Sequence, residues 1–113
     1  FKAVFPSGKV LACLGDEPFN EKCRNFVQNC DYLMCEAFCL YSQKDIFKPY
    51  EKFHSTALDA GKLAESLLTK NLILYHTEDE TLQTRKRTYT SEARKVFNGN
   101  IFVPDDFEVI DLK

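Results

Sequence analysis

Tryptophan is missing from this 113-residue sequence, and so is any C-x-x-C pair. The second absence leaves no basis for a structural zinc site of the ribbon or finger type. No apolar run approaches the ~20 residues that a bilayer-spanning helix needs, so no membrane partner is expected. The opening Phe1-Lys2-Ala3-Val4-Phe5 lacks a charged leader followed by a long apolar stretch, and so does not read as a secretory signal. It also lacks an initiator methionine and starts within a strand-like run, which leads us to expect a fragment of a longer protein. A strong charge of either sign is absent too. Fifteen Lys and Arg against seventeen Asp and Glu leave a net charge of −2, which supplies no overall field for nucleic acid. A nucleic-acid substrate would need basic residues clustered locally.

What is present suits one soluble domain with one modest core. Ten Phe and five Tyr supply most of the bulk. The five cysteines, Cys13, Cys23, Cys30, Cys35 and Cys39, all fall early in the chain. An odd number confined to predicted core elements argues against a disulfide framework and for reduced core thiols in a cytoplasmic protein.

Lys2–Phe5 and Lys9–Leu14 flank the turn signal Pro6-Ser7-Gly8 and predict a β-hairpin. Cys23, Phe26, Val27 and Cys30 share one helical face and predict a helix from Glu21 to Cys30. Tyr32–Phe38 reads as a buried strand, and Tyr41–Phe53 as loop with a helical turn. Ala60, Leu63, Ala64, Leu67 and Leu68 form a helical stripe, with Ser55 or Thr56 placed to cap it and Asp59 three residues after Thr56. Gly61 weakens that helix slightly. Asn71–Tyr75 is a compact apolar strand leading to His76. A polar loop is expected from Thr77 to Tyr89, then a short helix capped by Thr90 or Ser91 and ending at Phe97. Ile101–Val103 and Phe107–Leu112 read as closing strands. The order β-β-α-β-α-β-α-β-β implies an α/β domain with a mixed, mostly parallel sheet.

Sites on such sheets form beyond the carboxyl ends of strands, which directs attention to Asp16, Glu36 and His76. Asp16 and His76 are candidate metal ligands, because carboxylate and imidazole both bind divalent transition metals. On spacing alone the signal is weak: an Asp after Gly is more often a turn residue, and a His after a strand is more often structural. His54 and Glu36 form a second candidate pair. A carboxylate orienting an imidazole can deliver a proton to a leaving oxygen. The plainer alternative makes His54 the residue before a helix cap and Glu36 a solvated or capping carboxylate. The charged run from Glu78-Asp79-Glu80 to Arg85-Lys86-Arg87 reads as a solvated surface whose basic end could meet a phosphate.

The ordered segments Leu14-Gly15-Asp16, Cys35-Glu36-Ala37-Phe38, His54-Ser55-Thr56 and Leu72-Ile73-Leu74-Tyr75-His76 resemble the second half of ribonuclease Z and its relatives. Order and approximate spacing fit from Lys9 to Leu112. The resemblance implies the C-terminal half of a metallo-β-lactamase αββα sandwich, with residues 1–113 forming one part of a longer domain. It implies a hydrolase using two divalent transition metals, zinc foremost, on a phosphodiester or small ester, with nucleic acid among the possible substrates. Asp16 would bridge the metals, His76 would ligate one of them, His54 would stand near the leaving group, and Glu36 would support His54. Metal binding is expected to be weak or absent in this chain alone, and catalysis slight. The missing N-terminal half is the implied partner, and a half-sheet with an uncovered face is expected to self-associate.

The pattern departs from the family at Cys35, where His is usual, at Phe38, where Thr is usual, and at Glu17, where Thr is usual. The family's His-x-His-x-Asp-His segment is absent. These departures support an alternative, a non-catalytic member of the same fold that serves assembly or binding. A receiver domain is a third reading, but Tyr32–Phe38 does not end in the required phosphoacceptor Asp.

Overall fold

The computed structural model describes residues 1–15 and 17–112. Its sheet has five strands in sequential order: β1 (Lys2–Val4), β2 (Val10–Cys13), β3 (Tyr32–Glu36), β4 (Asn71–Tyr75) and β5 (Asn100–Phe102). β1 and β2 form the expected antiparallel hairpin, closed by Gly8 at φ +87°, a backbone setting that glycine adopts without steric cost. The remaining pairings are parallel, so β2, β3 and β4 all end at one rim.

Ala12, Leu33, Leu72 and Ile101 lie in register across the sheet. Helices α3 (Ala57–Ser66) and α4 (Leu82–Arg94) pack on this face and place Ala60, Ala64, Leu67, Tyr89, Ala93 and Phe97 against it. The other face carries the row Cys13, Met34, Ile73 and Phe102. None of these four residues belongs to the main core cluster. No helix of the described residues is long and apolar enough to cross a membrane.

The α3 start follows from its sequence. The Thr56 side chain accepts from the Asp59 amide, and the Asp59 carboxylate accepts from the Thr56 amide, which closes a capping box. Elsewhere the chain departs from expectation. The helix predicted over Glu21–Cys30 is a 3-10 turn (Glu21–Cys23) and a single α-turn, α1 (Arg24–Val27). Asn29 enters the left-handed region at φ +62° and donates to Leu67 O at 2.7 Å, which ends the helix early. Leu68 also turns left-handed, at φ +57°, so it leaves the α3 stripe and faces solvent.

The segment 41–53 is three single turns: a 3-10 turn (Tyr41–Gln43), α2 (Lys44–Phe47) and a second 3-10 turn (Tyr50–Lys52). α4 begins at Leu82, inside the expected loop. Its buried stripe is narrow, and its polar faces are held by Arg85 to Asp105 at 2.9 Å and Lys86 to Glu108 at 2.6 Å. The expected closing strand Phe107–Leu112 is not formed among the described residues. Phe107 sits at φ +66° and is fully exposed, and an alternating pattern makes a strand only where a neighbour offers its backbone.

At Gly61, α3 lies close against the end of α4 and the residues after it. A Cβ there would stand 2.8 Å from Val96 Cγ2 and 2.9 Å from Ala93 O. Helix propensity alone credits Gly61→Ala with about 1 kcal/mol of stabilisation. The clash reverses that sign, and we expect a net loss of about 1–3 kcal/mol, typical of overpacking. A lowered urea midpoint at constant m-value is the measurement; a raised midpoint would show that the helices separate freely.

Candidate active site

The rim at the carboxyl ends of β3 and β4 gathers three ionisable side chains. Strand alternation sends Cys35 into the helix-covered core and Glu36 to the other side. Ala37 N donates to Tyr75 O at 3.0 Å, so β3 and β4 stay paired to their ends. His76 follows β4 at φ +56°, a region that non-glycine residues enter uncommonly. His54 immediately precedes Ser55 and the Thr56 cap of α3.

Glu36 is only 1% exposed. Its Oε1 accepts from Ser55 N at 2.9 Å and from Ser55 Oγ at 3.3 Å. Its Oε2 lies 2.6 Å from His54 Nδ1 and 3.4 Å from His76 Nδ1. Burial of an ionised carboxylate is tolerated only when such donors replace its water. A carboxylate oxygen can only accept, so the short contact places a proton on His54 Nδ1 and leaves Nε2 free to act. The His54 and His76 side chains are 18% and 41% exposed, and both rings are reachable from solvent.

Phe38 stacks on His54 with ring centroids 4.8 Å apart and planes 22° apart. Lys52 Nζ lies 5.4 Å from the centroid of the same Phe38 ring. Cys35, where the resembled family has His, is buried, and its thiol is pushed up to about 12, chiefly by burial and then by the neighbouring Glu36 charge. It keeps its proton at neutral pH and plays no acid–base part.

The structure thus brings Glu36, His54 and His76 together, with one potential ligand atom from each within 4.8 Å of the others. The sequence paired His54 with Glu36, and that contact is present. It paired His76 with Asp16, and Asp16 lies outside the described residues. That His76 shares Glu36 with His54 had no signal in the sequence, because parallel register of β3 and β4 brings residue 76 to Glu36 and the chain leading into α3 brings residue 54. Ser55 was weighed as a helix cap, and Thr56 holds that place. Phe38 and Lys52 were not singled out for a site role, although Phe38 differs from the residue usual at its position.

The donor set fits a metal through His76 better than through the Glu36–His54 contact. Two ligands about 2.0–2.1 Å from one tetrahedral ion stand roughly 3.3 Å apart. The 2.6 Å separation of His54 Nδ1 from Glu36 Oε2 is that of a direct charge-assisted hydrogen bond. His76, with Nδ1 toward Glu36 and Nε2 outward, has the carboxylate-backed arrangement typical of a metal-binding imidazole.

No family model matches the chain. Ribonuclease Z of Bacillus cereus (strain AH187) is 31% identical over 98 residues, covering 87% of this chain and 31% of that protein. Ribonuclease Z of Bacillus thuringiensis (strain Al Hakam) matches with the same identity and coverage. Among solved structures, the metallo-β-lactamase fold protein YhfI of Bacillus subtilis superposes with a TM-score of 0.71 at 19% identity, covering 92% of this chain and 44% of that one. The short form of human tRNase Z superposes at 0.68 with 24% identity, covering 95% and 34%. The mixed five-stranded sheet and these superpositions make the chain a metallo-β-lactamase-fold protein. By sequence it is similar to ribonuclease Z over most of its own length. It spans about a third of the length of the curated relatives it matches.

Proposed function

We propose that this chain carries part of the active site of a metal-dependent hydrolase acting on a phosphodiester or ester. The observation that supports the reading most is the single buried carboxylate, Glu36, set against both His54 and His76 at the strand-end rim. In this reading His76 and Asp16 would hold divalent transition metal, zinc foremost. The chemistry supplied by two bound ions is polarisation of the scissile bond and activation of water. Glu36 fixes both rings. His54 Nε2 faces the substrate and delivers a proton to the departing oxygen. The relatives' names point to RNA as the substrate, with binding carried by local contacts, since the net charge of −2 provides no attraction.

The remaining ligands belong to the other half of the same fold. The row Cys13, Met34, Ile73 and Phe102 gives that half an apolar face to pack on. Alone, the chain is expected to bind zinc weakly and to hydrolyse little. A non-catalytic role in assembly is the second reading, favoured by the inert Cys35 thiol.

Elemental analysis of the protein carrying the whole fold is the test. We expect two equivalents of transition metal, with about 10- to 100-fold weaker retention after Asp16→Ala or His76→Ala, as for lost site interactions generally. Metal-free protein, or content unchanged by both substitutions, would leave only the assembly reading.

A further inference from the structure

A cavity of about 520 Å³ opens beside α3, between that helix, the segment that follows β2 and the segment that leads into α3. That volume lies within the range of about 300–1,000 Å³ of small-molecule clefts. Leu14 and Cys35 contribute to its lining, as do Phe19 and Leu63, and His54 and Ser55 also border it. The imidazole on Glu36 therefore borders both the rim and this cavity.

The ionic groups lining it are largely engaged. Glu21 and Arg24 form two contacts of 2.8 Å with each other. Asp59 accepts from Tyr50 Oη at 2.7 Å while also closing the α3 cap. Of the remaining charged groups, Glu17 and Lys62 also border it, so the cavity offers ring walls with one cation and one carboxylate at its edge rather than a cluster of cations for an anion. Its two phenylalanine rings differ in their support. The Arg24 guanidinium lies 5.6 Å from the Phe19 ring centroid. Phe53, also on the lining, is 74% exposed and sits at φ +60°. An aromatic residue in that backbone region is uncommon, and its ring gains little from packing within the chain. A flat ring entering beside it would cover it.

We propose that this cavity is a subsite for a planar aromatic ring, a nucleobase or an aryl group, carried by the substrate next to its scissile bond. The ring enters between Phe19, Leu63 and Phe53. The phosphoryl or ester group stays outside, against His54 and His76. As a statement of substrate class this rests on the hydrolase reading, but ring binding needs no turnover and no metal.

The test is a titration of the ¹⁵N-labelled chain with adenosine and, separately, with benzyl alcohol. We expect saturable shifts at the amides of Phe19, Leu63 and Ser66. Leu63→Trp, which fills the cavity, should weaken binding at least tenfold. Phe53→Ala, which removes only an exposed ring, should weaken it severalfold and guards against a misfolded cavity variant. Phe107→Ala, at a fully exposed position, should change nothing. Tighter binding of adenosine indicates a nucleobase, and equal binding indicates an aryl group. Absence of shifts at these amides with both probes, or unweakened binding in both cavity variants, would overturn the proposal. Ring binding in a protein that never hydrolyses a diester would sink the hydrolase reading and leave the cavity assignment standing.

Discussion

Glu36→Ala is expected to cost the chain about 2–4 kcal/mol, on the order of 10 °C in Tm. The Glu36 carboxylate is 1% exposed and accepts from Ser55 N, Ser55 Oγ and His54 Nδ1. Its removal strands a backbone amide at the start of α3 and frees two rings that it held. A domain of this size commonly has only about 5–15 kcal/mol in total. Glu36→Gln should recover part of the loss, because one amide oxygen can still accept from Ser55. Its NH2 group would then face His54 Nδ1, so the ring must turn or move its proton to Nε2. Urea midpoints for the two variants, with the His54 tautomer read by nitrogen NMR, check both statements. An alanine variant as stable as the parent would mean that water replaces the carboxylate at little cost, and that the site is open rather than built.

The second large effect is catalytic and belongs to the protein carrying the whole fold. If His54 protonates the departing oxygen, His54→Ala should lower kcat by about 10²–10⁴. The loss should depend on the leaving group. An alkoxide needs the proton and should show the full decrease. Nitrophenoxide departs unaided and should show much less. An equal decrease for both would assign His54 to substrate positioning, and no decrease would remove it from the mechanism. Phe38 stacks on the same ring, so Phe38→Ala should disturb the His54 orientation without removing its proton. Comparing the two variants separates chemistry from placement.

Legibility differed with the range of the interactions involved. The hairpin, β3, β4 and the Thr56–Asp59 capping box were readable because each is decided within a few residues. The start of α4 was not. Its first turns are polar and carry no apolar stripe, and the groups that hold them range from the neighbouring Glu78 to Asp105. Glu78 accepts from Glu80 N at 2.6 Å, from Thr81 N at 3.2 Å and from the Thr81 hydroxyl, and Arg85 reaches Thr77 at 2.8 Å and Asp105 at 2.9 Å. Phe107–Leu112 shows the opposite error. Its alternation suits a strand, but no described strand lies alongside to accept it. Leu68 fitted the α3 stripe by spacing and left it because the backbone turned first.

The identity of the reactive groups, the cap of α3 and the segments of apolar strand were determined by the sequence itself, since they depend on side-chain chemistry and short-range spacing. Only the tertiary structure decided that Glu36 serves His54 and His76 together, that Cys35 is sealed in the core, and that a cavity opens beside His54. The reason is physical. Parallel register joins Glu36 to a residue forty positions away, the α3 entry brings it one eighteen positions away, and a void depends on how several segments meet. None of these leaves a periodic trace along the chain.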